Sequence, residues 1–309
     1  MLYVGELAGL ATALLWAFTS IFFSQAGRLI GSFTVNKIRL LIAVTYYAVF
    51  SLVATGVPYP QNVNKLQLFW LGLSGLVGLV IGDSCGFKAL VMIGPRLTTL
   101  IYASTPIMTT FIAWFFLGEH LTYLNIAGIA VTIAGITWVV LERRLDYNNG
   151  INLDPDHPDQ GSFFKGVMLA LGAALCQASG LVLAKQGMFH AGGMVEPLQA
   201  SFVRMITALA VIWIIAIVRG QLWHTARAMK NGRALSYCAA GAFVGPFLGV
   251  WMSLVAVKYI ATGLAATLNS TTPVMILPLI VLWYKEKVTV RAALGAIVTV
   301  TGVALIFLS

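Results

Sequence analysis

Charged side chains are scarce in this sequence. Asp, Glu, Lys and Arg together supply 9% of the residues, whereas 59% are hydrophobic. A soluble globule needs more polar side chain than this to cover its surface. The composition therefore predicts an integral membrane protein.

Motifs of soluble enzymes and ATP-driven pumps are also absent. The sequence contains no GxxxxGK[ST] phosphate loop, no HExxH and no GxSxG. Cys85, Cys176 and Cys238 form no CxxC or Cys/His ligand spacing, which favours a packing role, and the four histidines show no metal-ligand spacing. We expect no ATP-driven transport, no metal ion and no cofactor.

Long apolar runs fill the rest of the chain. Because about 20 apolar residues in a helix cross a bilayer, we predict ten membrane-spanning helices and no β-barrel. The first span has no basic region or cleavage signal before it and is predicted to be retained. The predicted spans are residues 5–27, 33–56, 67–92, 96–117, 121–141, 163–187, 197–218, 234–257, 262–283 and 288–308.

The sequence repeats itself. A shift of 167 residues places Pro106 on Pro273 and Glu119 on Glu286 without a gap, and earlier in each half the shift becomes 165 and then 161. Each copy therefore holds five predicted helices. Because five is odd, the second copy must cross the membrane in the opposite sense, which predicts an inverted repeat. We divide the chain into a first copy (1–144), a polar linker (145–162) and a second copy (163–309).

Glycines recur at helical spacing in matching places. Such positions let neighbouring backbones approach closely, and sliding during transport remains an alternative to static packing. The predicted packing glycines are Gly78, Gly82, Gly128 and Gly135 in the first copy and Gly245, Gly249, Gly295 and Gly302 in the second.

Each copy also carries a Thr-Pro step inside an apolar run. Pro106 and Pro273 lie about three turns into their predicted helices, so they are expected to bend them and to leave nearby carbonyl oxygens for other donors. A bend that serves packing and one that lines or hinges a cavity both fit the pattern. Glu119 and Glu286 follow these runs and are interpreted as marking tight turns at the membrane interface.

The sequence resembles the EamA-type transporters of the drug/metabolite transporter superfamily. The resemblance is carried by FKALVMIGPRLTTLIYASTPIMTTFIAWFFLGEHLT in the first copy and LVAVKYIATGLAATLNSTTPVMILPLIVLWYKEKVT in the second. It implies a carrier of the bacterial cytoplasmic membrane, frequently an exporter of amino acids or other metabolites. It also implies that the fifth and tenth helices support the cavity from outside.

Ionisable groups inside the spans are the main candidates for a substrate site, because charge in hydrocarbon is costly unless it faces a partner or a cavity. Asp83 and Lys88 lie inside the third span, and their counterparts in the second copy are Val250 and Val255. A direct pair between them is not expected on a straight helix. The other predicted substrate-binding residues are polar or aromatic, namely Trp16, Tyr102, Gln177, Trp251 and Asn269.

Two arginines, Arg39 and Arg204, occupy matching positions early in their helices. This placement favours a snorkelling or structural role over contact with a substrate. Small multidrug pumps of the superfamily carry a glutamate in the middle of the first helix, whereas here only Glu6 stands at its start.

We therefore predict a secondary carrier that exports a small metabolite. A drug or cation antiporter and a membrane enzyme or scaffold without transport remain alternatives. The expected partners are a small-molecule substrate and the lipid bilayer, without nucleic acid, in a monomer or homodimer; the coupling ion stays open. The net charge of +9 is attributed to contact with anionic lipid.

Basic residues predict the orientation in the membrane. They concentrate after the odd-numbered spans, and the residues in this group include Arg28, Arg143, Arg144, Arg227, Lys230 and Arg233. Because basic loops stay cytoplasmic, both termini are expected outside. The family resemblance implies the reverse.

Overall fold

A computed structural model describes residues 3–142, 160–190, 193–275, 278–279 and 290–308. Over these residues the chain is helical, with turns between the helices and no strand. The linker predicted at 145–162 lies largely outside the described residues, as does Glu286. The α-helices are α1 (Val4–Ile30), α2 (Ser32–Thr55), α3 (Lys65–Ser74), α4 (Asp83–Tyr102), α5 (Thr105–Leu117), α6 (Tyr123–Glu142), α7 (Gln160–Phe189), α8 (Pro197–Val218), α9 (Leu222–Met229), α10 (Gly232–Ala242), α11 (Val250–Tyr259), α12 (Thr262–Asn269) and α13 (Val290–Phe307).

Local sequence explains where several of these helices begin. The Asn64 side chain accepts from the backbone N–H of Gln67, whose side chain accepts in return from the backbone of Asn64, so a capping box starts α3. Pro197 starts α8, where its missing N–H removes no helical hydrogen bond. Gly56 ends α2 at a φ of 81°, a conformation that favours glycine.

Six helical stretches in the described part of the chain are long and apolar enough to cross a membrane, which supports the prediction of an integral membrane protein. They are Val4–Ile30, Phe33–Thr55, Lys65–Ala89, Phe163–Phe189, Pro197–Val218 and Gly232–Tyr259. Thr105–Leu117, Tyr123–Trp138 and Ala293–Phe307 are shorter apolar helices.

The boundary predicted between the third and fourth spans is wrong. It was placed at residues 93–95, but the chain stays helical from Lys65 through Tyr102 and turns at Ala103 and Ser104. In the second copy a break does occur at the matching place, Ile260 and Ala261, before α12 begins. The two copies therefore differ in a connection that their hydropathy makes look alike.

The helices α6 and α13 pack against each other in antiparallel fashion. A Cβ on Gly128 would lie 3.1 Å from the carbonyl oxygen of Gly302, and one on Gly302 would lie 2.9 Å from that of Gly128. Thr132 and Thr299, which occupy matching positions, donate to the carbonyls of Gly128 and Gly295. Equivalent helices of the two copies thus meet by an approximate twofold rotation, as an inverted repeat requires.

The two copies are also interleaved. In the second copy, Gly245 faces Thr19 of α1, where an added Cβ would lie 2.6 Å from the Thr19 Cγ2. In the first copy, Gly78 faces Gly180 of α7, with a Cβ on Gly180 3.0 Å from the Gly78 Cα. Each copy's first helix therefore packs on the glycines of the other copy's third helix.

Both third helices contain a π-helical segment in matching places. One runs Gly75–Gly82, between α3 and α4, and the other Phe243–Gly249, between α10 and α11. π-helical turns are rare and recur at functional sites, because the wider turn changes the direction of the side chains that follow it. Asp83 and Val250 are those following residues.

The helices break near Pro106 and Pro273, whereas the sequence predicted bends within continuous helices. Each proline is the second residue of a new helical stretch that follows a two-residue turn. Ser104 donates to the carbonyl of Ile101 at 2.6 Å, and Thr271 donates to that of Leu268 at 2.8 Å. The hydroxyl before each Thr-Pro step therefore bonds a carbonyl at the end of the preceding helix. Thr272 donates at 3.0 Å to the carbonyl of Asn269, which is the one that Pro273 leaves without a helical donor.

Candidate functional site

A buried ion pair lies at the start of α4. Asp83 Oδ2 accepts from an Nη2 N–H of Arg39, whose Nε donates to Asn36 Oδ1 at 2.7 Å. The side chains of Arg39 and Asp83 are only 5% and 16% exposed. The Arg39 guanidinium also lies 5.6 Å from the ring centre of Phe87 and 5.8 Å from that of Phe23.

The second copy supplies the other partner of Asp83. Gln177 of α7 donates from Nε2 to Asp83 Oδ1 at 2.9 Å and to the carbonyl of Gly78 at 3.3 Å. We call Arg39, Asp83 and Gln177 the central cluster. It joins the two copies through charge-assisted hydrogen bonds inside membrane-spanning helices, where such bonds mark functional positions.

The matching place in the other half of the molecule is apolar. Under the repeat shifts, Asp83 corresponds to Val250 and Gln177 to Trp16. Trp16 packs on Gly249 as Gln177 packs on Gly82, with ring nitrogen Nε1 3.4 Å from a Cβ built on Gly249. A narrow crevice is lined there by Trp16, Arg39, Leu40, Leu79, Met205, Pro246 and Val250.

Arg204 is the second buried arginine near this centre. It is 5% exposed, lies within electrostatic range of Asp83, and its Nη2 lies 3.6 Å from a Cβ built on Gly78. Its Nε has no hydrogen-bond partner in the described part of the chain. The snorkelling part of the interpretation is therefore wrong, because neither arginine reaches the surface, whereas the structural part agrees with the ion pair of Arg39 and Asp83. Their matched positions within apolar spans were the signal that could have identified them.

The other predicted site residues divide into two groups. The Tyr102 hydroxyl lies over Gly86, one turn beyond Asp83, so Tyr102 joins the centre. Lys88 is exposed and is not brought to Asp83. Trp251 packs against Phe50 with ring centres 5.5 Å apart, and Asn269 donates to Ser253 at 2.9 Å.

A second charged cluster joins the copies at one end of the helices. Glu119, just after α5, accepts from the backbone N–H and the hydroxyl of Thr262, both at 2.7 Å. Lys185 of α7 pairs with Glu119 at 2.8 Å and donates to the carbonyl of Ile260 at 2.9 Å. We call Glu119, Lys185 and Thr262 the edge cluster.

Gly118 is required for this arrangement. It ends α5 at a φ of 65°, a left-handed conformation that places Glu119 beyond the helix. The Glu119 carboxylate then caps the start of α12, where backbone N–H groups lack helical acceptors and negative charge is favoured. The sequence interpretation of Glu119 as an interfacial turn missed this contact, because Thr262 and Lys185 belong to the other copy.

The comparison with known proteins identifies the class. The model of the EamA-like transporter family matches residues 3–141 and 164–308, so the chain belongs to this family of membrane transporters in the drug/metabolite transporter superfamily. A solved crystal structure is similar, with a TM-score of 0.76 and 19% sequence identity over 99% of this chain and 96% of the other, and it shares the fold. No curated protein matches the sequence.

Proposed function

We propose that the protein is a secondary transporter that exports a small metabolite, such as an amino acid, by alternating access. In this proposal ten helices form two inverted copies of five, and the protein lies in the bacterial cytoplasmic membrane. The central cluster carries the proposal, because it is a buried ion pair held between the copies beside a π-helical turn. Transporters with inverted repeats bind substrate between their repeats, near the middle of the bilayer.

The substrate site in this proposal is formed by Arg39, Asp83 and Gln177 on one side and by Trp16 on the other. Tyr102 borders it. The polar half orients the substrate through hydrogen bonds, and the apolar half covers the remainder of the molecule. Lys88, Trp251 and Asn269 are not included, since their described contacts lie elsewhere.

The edge cluster supports alternating access. It ties α5 of the first copy to α12 of the second at the face where α1 begins. The counterparts of Thr262 and Lys185 are Pro95, which has no backbone N–H, and Ser24, which has no charge. The contact made by the edge cluster therefore cannot form at the opposite face. When one face closes and the other opens, the hydrogen bonds between the copies must change. We propose that the edge cluster breaks when its own face opens.

Flux across reconstituted vesicles tests the transporter. Purified protein in proteoliposomes is expected to exchange at least one member of a panel of labelled amino acids and small organic acids, and Asp83→Asn is expected to remove this flux. Glu196→Gln, which changes a 62% exposed carboxylate, serves as the matched control and keeps it. Flux of organic cations alone favours the antiporter alternative, and absence of any protein-dependent flux contradicts the proposal.

Orientation is a separate part of the proposal. The distribution of basic residues favours both termini outside, in which case the edge cluster faces the exterior. An export-active phosphatase fused after Ser309 is expected to be active, and a cytoplasm-active fluorescent reporter at the same place is expected to be dark. Fluorescence without phosphatase activity contradicts this orientation.

A further inference from the structure

The centre of the protein buries more positive than negative charge. Arg39 and Arg204 are 4% and 5% exposed, and Asp83 is within electrostatic range of both. One carboxylate cannot neutralise two guanidinium groups. A buried charge without a counterion is strongly disfavoured, so this centre favours an additional anion.

The hydrogen bonds at the centre are unequally distributed. Arg39 donates to both Asp83 and Asn36, and the two carboxylate oxygens of Asp83 are used by Arg39 and Gln177. The Nε of Arg204 has no partner within the described residues, although it is buried. Arg204 therefore has donor capacity that Asp83 does not use.

The repeat explains why Arg204 lacks its own acid. Arg39 and Arg204 are counterparts, but the counterpart of Asp83 is Val250, which is 6% exposed and lines the central crevice. In the first copy the protein supplies both members of the ion pair. In the second copy it supplies the arginine and leaves the acid position apolar.

We propose that Arg204 binds the acidic group of the substrate, and that the substrate is a small organic acid with one carboxylate and an apolar remainder. This inference rests on the transporter function proposed above and names the chemical class that its site takes. A guanidinium binds a carboxylate through two parallel hydrogen bonds, which gives both strength and orientation. Trp16, Leu79 and Val250, which line a narrow crevice beside Arg39, supply an apolar surface for the rest of the substrate.

Acid and amide pairs of the same shape test the charge requirement directly. Binding of isovalerate and isovaleramide, and of benzoate and benzamide, is measured on the purified full-length protein by thermal shift and calorimetry. The acids are expected to bind at least about tenfold more tightly than their amides, as a charge-assisted hydrogen bond implies. Equal binding of acid and amide, or binding of neither acid, overturns the inference.

Two substitutions of Arg204 and one control test the residue. Arg204→Gln is expected to remove the acid preference, and Arg204→Lys to keep part of it, because an ammonium retains the charge without the planar fork. Arg219→Gln makes the same chemical change at the exposed end of the same helix and is expected to keep the full preference. An undiminished preference in Arg204→Gln overturns the inference.

Folding is checked for each variant by its membrane level and its elution in size-exclusion chromatography. If Arg204→Gln does not fold, Arg204→Lys and the wild-type acid and amide pairs decide the question. The two proposals fail in different ways. Acid binding without protein-dependent flux of the acid, corrected for protein-free vesicles, contradicts transport, whereas flux without acid preference contradicts only the substrate class.

Discussion

The two copies of this protein share the same helical framework but place different kinds of side chain at the centre. Both third helices contain a π-helical segment. In the last helix of each copy, α6 and α13, a threonine donates to a glycine carbonyl. In each copy a hydroxyl also donates to a carbonyl at the helix break before the proline. At the centre, Asp83 and Gln177 stand where the other half has Val250 and Trp16. The matched features support the helical framework, and the unmatched ones are the places where we propose that an asymmetric substrate is recognised.

The largest effect on stability and transport is expected at Asp83, the charged residue whose counterpart in the second copy is apolar. Asp83→Asn leaves Arg39 without its counterion, and loss of one partner from a buried pair costs about 3–5 kcal/mol. The free energy of unfolding, followed in detergent with denaturant, is expected to fall by this order, and flux is expected to disappear. The double variant Arg39→Gln with Asp83→Asn is expected to recover stability without recovering flux. Recovery of flux in the double variant contradicts a role for this pair in binding.

The edge cluster provides the second contrast between the copies. Glu119→Gln keeps an oxygen for Thr262 but removes the charge that Lys185 pairs with, and hydrogen bonds to charged groups contribute about 1.5–3 kcal/mol. We expect the protein to open more readily at this face, which is measured by the rate at which a cysteine introduced at Ala8, buried against Val257 and Ala265, is labelled. Lys185→Met is expected to act alike, and the double variant to add little. Additive effects contradict a direct pair.

The frame itself is tested at the contact between α6 and α13. Gly302→Ala places a Cβ 2.9 Å from the Gly128 carbonyl oxygen, closer than packed atoms approach, and overpacking of this kind costs about 1–3 kcal/mol. Gly172→Ala is the matched control, because a Cβ there meets no atom within 4 Å. The melting temperature is expected to fall for Gly302→Ala alone. An equal fall in both variants contradicts close packing at Gly302.

The smallest effects are expected at the two proline breaks. Ser104→Ala and Thr271→Ala each remove one hydrogen bond to a carbonyl, which contributes about 1 kcal/mol. Pro106→Ala and Pro273→Ala are expected to leave the protein folded, because each proline stands in the first turn of its helical stretch. Turnover in proteoliposomes is expected to slow if the breaks take part in the change of access. Unchanged turnover in both proline variants assigns the breaks to packing.

Particular residues show how far the sequence alone could predict the site. The isolated acid Asp83 and the amide Gln177 could be recognised, since polar groups in apolar spans need a reason. The role of Arg39 could not, because it depends on which helix lies beside Asp83. Lys88 was chosen for the same reason as Asp83, and only its exposed position on α4 separates the two.

Hydropathy and the internal repeat by themselves determined a helical membrane protein with two related halves, because the length of an apolar run and the spacing of its glycines are properties of the chain. The tertiary structure decided the rest. Both charged clusters join residues 44 to 143 positions apart. The π-helical turns and the continuous helix from Lys65 through Tyr102 were likewise not predicted from hydropathy. A shift of the sequence against itself identifies equivalent residues, but only packing decides that Gln177 reaches Asp83 and that Glu119 caps a helix of the other copy.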